Sequence, residues 1–97
     1  MVNVLNINLQ LNKLRKLLSS STTDISWSNY DSVGAILEEL SFLENGMRNM
    51  KEDAFKEMLF LLAPTNNLQE ISISSGWADE FLDIADNLEK EIHHHIK

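Results

Sequence analysis

LFLLAPTNNLQEISISSGWADEFLDIA, residues 59–85, decides how many helices the chain has and where they stop. An apolar run ends at Pro64, whose ring carries no amide hydrogen and biases Ala63 away from helix. Upstream, a helix from about Lys51 to Ala63 is expected, with Glu52 and Asp53 in the first turn, where the helix dipole favours acids. Its second half, Met58 to Ala63, is apolar all round, which predicts burial on several sides and a place at the centre of the fold. Downstream, Trp77, Phe81, Ile84, Leu88 and Ile92 keep helical spacing, so a last helix should begin near Trp77, capped by Ser75 or Ser74, with this stripe inward. Between the two, Ile71 and Ile73 alternate with polar residues, which allows a short extended piece at Glu70 to Ser74 in an irregular connection at about 64–76.

Toward the N-terminus, VLNINLQLNKLRKLL carries two periods at once. Leu5, Ile7, Leu9 and Leu11 alternate like a strand, while Ile7, Leu11, Leu14 and Leu18 repeat like a helix. The Leu-rich second half and the bases near its end favour helix. The hydroxyl-rich run at 19–23 ends it, because short polar side chains compete for backbone hydrogen bonds. Ser28 with Asp31 has the form of an acidic capping box for a second helix, whose stripe is Val33, Ile36, Leu37, Leu40 and Leu43, with Phe42 flanking. Glu38, Glu39 and Glu44 fall outside the stripe, and Asn45-Gly46 reads as its C-terminal cap. The expectation is an all-α, compact, mostly antiparallel four-helix bundle forming one domain over 1–97.

Composition narrows the function. With 43% hydrophobic and 24% charged residues the chain has globular proportions. The absence of Cys excludes disulfides, thiol nucleophiles and thiolate metal sites. No apolar run reaches the ~20 residues of a membrane span, and no continuous apolar block marks a secretory signal, so a soluble cytoplasmic protein is expected. The net charge is −7; Lys13, Arg15 and Lys16 leave the segment to Trp27 at +2, so the acids concentrate beyond it. Nucleic acid is a poor match for that balance, and a basic protein partner a better one.

Asp79, Asp83 and Asp86 repeat at helical spacing opposite Trp77, Phe81 and Ile84, which predicts an exposed acidic ridge. The plain reading is the solvated face of an amphipathic helix. The sharper reading is a docking surface for a basic partner, extended by Glu70 and Glu80 if the preceding loop folds beside the helix. Glu91 with His94 and His95 has ligand-like spacing, but one such element lacks the further carboxylates of a di-iron bundle, and no metal site is assigned. Trp27 and Trp77 read as core anchors, each ring nitrogen finding one acceptor, with Trp27 and Tyr30 as an alternative binding anchor. The only His are the three at 93–95 and no Gly-rich phosphate loop is present, so neither catalysis nor a cofactor is expected.

Ala63-Pro64-Thr65, Leu68-Gln69-Glu70-Ile71-Ser72 and Ser75-Gly76-Trp77-Ala78-Asp79-Glu80-Phe81-Leu82 together resemble a phrase in small acidic bacterial immunity proteins that accompany toxins. The resemblance covers about a quarter of the chain. It departs from the family pattern at Asn66 and Ala78, where the family often has Gly. It implies a non-enzymatic protein that neutralises a cognate toxin by masking it, and an acidic surface suits a basic toxin domain. A helical structural or regulatory adaptor that self-associates or joins a larger complex is the alternative.

Overall fold

Five helices follow one another in the computed structural model, which describes residues 3–21, 23–26, 28, 30–63 and 66–96: α1 (Val4–Leu18), α2 (Val33–Arg48), α3 (Glu52–Leu62), α4 (Asn67–Ser75) and α5 (Ala78–Ile96). The all-α expectation holds, but the described residues form five helices and not four. The expected extended piece at Glu70 to Ser74 is part of α4. Its buried residues, Leu68, Ile71, Ser72 and Ser75, have helical spacing, while Ile73 points outward. A lone extended segment among helices would leave its backbone groups without a ladder, whereas a helix satisfies them internally.

The caps explain where each helix begins and ends. Asn3 accepts the Asn6 amide at 3.1 Å and starts α1, whose buried side chains Ile7, Leu11, Leu14 and Leu18 select the helical period. Leu5 and Leu9, the other members of the alternating pattern, are exposed. For α2 the expected cap is displaced by four residues: Ser32, not Ser28, accepts the Ala35 amide. Ser28 instead donates to the Ile25 carbonyl and accepts the Tyr30 amide, shaping the preceding turn.

Gly46 is not the end of α2. The helix continues to Arg48, and Met50 takes the left-handed position with φ 57°. The Lys51 amide donates to the Gly46 carbonyl and the Met50 amide to Met47, closing the helix as a glycine there would have done. Gly46 itself is buried where α3 crosses: a Cβ there would stand 2.6 Å from the Cβ of Ala54. A glycine at this position brings two helices together, a requirement invisible along the chain.

α3 buries Ala54, Phe55, Met58, Leu61 and Leu62. It is not apolar-buried all round, because Phe60 is 65% exposed. Ala63 is extended at ψ 142°, the conformation favoured before a proline; Pro64 lies outside the described residues. Asn66 caps α4 with its side chain, and Gly76, left-handed at φ 83°, closes it with Trp77 donating to Ser72. Ser75 therefore ends α4 and does not cap α5; its hydroxyl accepts the Asp24 amide at 2.7 Å and ties down the first loop. The Trp77 carbonyl receives the Phe81 amide to open α5.

All five helices contribute to one apolar core. α1 packs on α2 and α5, α3 on α2 and α5, and α4 on α3 and α5. The inner stripe of α5, Trp77, Phe81, Ile84, Leu88 and Ile92, is buried as its spacing predicts. Among the described residues, no helix is long and apolar enough to cross a membrane.

Candidate interaction surface

The core stripe of α5 turns its acids outward, and Asp79, Glu80, Asp83 and Asp86 are all exposed. Glu70 is exposed on α4, which packs against α5. Of these five, only Asp86 has an ion-pair partner among the described residues, Lys90 at 3.0 Å and one turn on. Both members are well exposed, so the pair contributes little and leaves the ridge acidic.

The chain's basic segment is not remote from its acids in space. α1 and α5 run in opposite directions: Glu91 accepts the Asn3 amide at 2.8 Å and the Asn6 side-chain amide at 3.2 Å. Two to three turns away, Glu80 and Asp83 line a groove of about 340 Å³ shared with Lys13, Lys16 and Leu17. The fold thus sets two bases beside two of the ridge acids, while Asp79, Asp86 and Glu70 lie outside that groove's lining.

Glu44, assigned by its register to the solvent side, is buried. Arg15 donates to one of its carboxylate oxygens, while Asn8 and, at 3.2 Å, Arg48 donate to the other. Burial pushes this carboxyl up, but the hydrogen bonds from Asn8 and Arg15 and the charges of Arg15 and Arg48 outweigh it and hold the group below its usual range. A depressed folded-state value means the unfolded chain binds the proton more readily. The contribution to stability is therefore complete above the ordinary value of 4.5 and is lost as pH falls through the folded value. Glu44→Gln should flatten the decline of the urea midpoint below pH 4.5 relative to the wild-type chain. At neutral pH, Glu44→Ala should cost about 1–3 kcal/mol, between the exposed and fully buried cases.

The C-terminal histidines do not gather around Glu91. Its carboxylate is held by α1, the His95 ring stacks on Phe55 with centroids 3.9 Å apart, and His93 and His94 are exposed. No group of three or more His, Asp or Glu among the described residues is placed to hold a metal ion. Trp77 is buried 6.5 Å from the Phe81 ring, but its Nε1 finds no acceptor among the described residues, contrary to expectation. Trp27 lies outside them. Its supposed companion Tyr30 is half-buried with its hydroxyl donated to Glu39. Burial first, then the bond to Glu39 and its charge, push the Tyr30 phenol up.

A larger hollow, of about 490 Å³, lies between α2 and α3 rather than on the ridge. Leu43, Gly46 and Ala54 are its buried members; Phe42 stands on its edge, 77% exposed. Asn45, Lys51, Glu52, Asp53 and Glu57 complete the rim. Phe42 falls beside the α2 stripe in sequence, but the hollow is lined from both α2 and α3, so spacing within one helix misses it. No protein-family model matches the chain, and neither a curated protein nor a solved structure matches it significantly.

Proposed function

We propose that the chain is a non-enzymatic, cytoplasmic immunity protein that neutralises a cognate bacterial toxin through an acidic surface. The observation that supports this reading is the exposed carboxylate face of α5, set on a helix whose opposite face is anchored in the core. A rigid array of like charges attracts a basic domain before contact and orients it on arrival. The segment from Ala63 to Leu82, whose wording resembles immunity proteins, contains α4 and the start of this helix.

Co-expression with the product of the reading frame immediately upstream tests the function directly. Protection from a toxic product is the expected result. A non-toxic product, or no protection, removes the immunity reading; a chain that also sediments as a dimer at micromolar concentration supports the adaptor instead. The ridge is tested by Asp79→Lys, Asp83→Lys and Asp86→Lys together, which should slow association with the toxin about tenfold and weaken its dependence on salt. Because Asp83 sits beside Lys13 and Lys16, its reversal also brings like charges together, and Asp83→Asn is the cleaner control for folding. Loss of the dipole interaction at Asp79 should cost only about 0.3–1 kcal/mol. An unchanged association rate would make the ridge a solvated face.

A further inference from the structure

The geometry points to the hollow between α2 and α3 as a second docking site, one that seats a segment of a protein partner carrying large apolar side chains with Lys or Arg on either side. This rests on the reading of the chain as a binder of a basic protein, and it names a surface that the acidic ridge does not include.

Phe42 carries the first part of the argument. The inner stripe of α2 is complete without it: Ile36, Leu40, Leu43 and Met47 are buried, while Phe42 is 77% exposed at the edge of the hollow. A large aromatic ring on the edge of a concavity with an apolar base is the arrangement in which a partner's side chain loses water on both sides. On α3, Phe60 lies one turn beyond Glu57 on the same helical face and is also exposed, outside the lining of the hollow.

The rim selects the occupant's charge. Glu52, Asp53 and Glu57 oppose Lys51 alone, giving a formal −2. Glu52 and Asp53 lie in the first turn of α3, where interaction with the helix dipole already accounts for acids. Glu57 lies a turn further on, beyond that effect, and faces the same hollow as Phe42. A second copy of the chain is the wrong occupant: its net charge is −7, and of its N-terminal bases Arg15 is paired with Glu44 while Lys13 and Lys16 share a groove with Glu80 and Asp83. Cationic flanks relieve the rim, and apolar side chains fill the base.

The probe is the acetylated and amidated peptide Arg-Arg-Leu-Phe-Arg-Arg, titrated into the ¹⁵N-labelled full chain. Saturable shifts centred on the Leu43, Gly46 and Ala54 amides are expected, with at least tenfold weaker binding by Phe42→Ala and by Glu57→Lys at unchanged melting temperature. The same peptide with Ser-Ser in place of Leu-Phe, or with Glu in place of Arg, should not saturate. Equal binding of the serine peptide, shifts confined to α5, or an undiminished affinity in Phe42→Ala would overturn the proposal. So would peptide-free, concentration-dependent shifts at the same amides, which would assign the hollow to a second copy. Absence of protection from the upstream product removes the immunity reading without touching this titration. A failed titration beside intact protection removes the hollow and leaves the immunity reading standing.

Discussion

Phe81→Ala is expected to destabilise the protein by about 3–5 kcal/mol, and Leu88→Ala by about 2–5 kcal/mol. Both side chains are fully buried, in the stripe with which α5 meets the core. Removing the Phe81 ring deletes its apolar contacts, including the tilted packing on Trp77, and leaves a cavity that neighbouring helices cannot collapse to fill. A domain of this size has roughly 5–15 kcal/mol in total, and at about 4–8 °C per kcal/mol the melting temperature should fall by roughly 12–40 °C if the variant still folds. Leu82→Ala, one residue along and 52% exposed, is the internal comparison and should stay within about 0.5 kcal/mol. Thermal and urea unfolding followed by helical circular dichroism measures all three. Equal midpoints for the Phe81 and Leu82 variants would place the buried face of α5 elsewhere.

Gly46→Leu should cost about 3 kcal/mol, at the upper end of ordinary overpacking. Even the first carbon of a side chain would stand 2.6 Å from the Ala54 Cβ, so α2 and α3 must part before the rest is accommodated. Gly46→Ala meets the same obstacle but gains about 0.8–1.0 kcal/mol of helix propensity, so its net loss should be smaller. Ala54→Gly removes the opposing methyl at its own helix-propensity cost of about 0.8–1.0 kcal/mol, so it should be less damaging in the Gly46→Ala background than alone, recovering part of that loss as a coupling. If Gly46 were a helix cap, the second substitution would recover nothing. A double-mutant cycle on urea midpoints separates the two, because contacting residues couple whereas a cap and a distant methyl do not.

The contrast between Gly46 and Gly76 shows what a glycine in a sequence conveys. Both follow an apolar helical run, and both read as interruptions. Gly76 is one, with a left-handed backbone that ends α4. Gly46 keeps helical geometry inside α2, and the left-handed role falls to Met50, where a side chain costs about 1–2 kcal/mol. Local spacing does not distinguish a glycine chosen for its backbone from one chosen for its missing methyl. The distinction requires knowing that Ala54 lies opposite.

α4 was partly legible. Leu68, Ile71, Ser72 and Ser75 have helical spacing, with Asn66 before and Gly76 after as boundary residues. The Ile71 and Ile73 alternation obscured it, because two of its four inward residues are serines and hydropathy alone gives them no direction. Their burial is made tolerable by nearby partners: Ser72 donates to the Gln69 carbonyl and Ser75 accepts the Asp24 amide. The second of these spans 51 residues of sequence.

The sequence by itself determined the helical class, the inner stripes of α1 and α5, and the outward direction of Asp79, Asp83 and Asp86. Each depends on side-chain spacing within one helix, and a period of 3.6 residues makes that spacing a direction in space. Only the tertiary structure decided that Glu44 is enclosed by Asn8, Arg15 and Arg48, that Lys13 and Lys16 share a groove with Glu80 and Asp83, and that Gly46 and Ala54 meet in the lining of the hollow beside Phe42. Those relations join different helices, and a helix's own periodicity says which face is buried but not which neighbour will cover it.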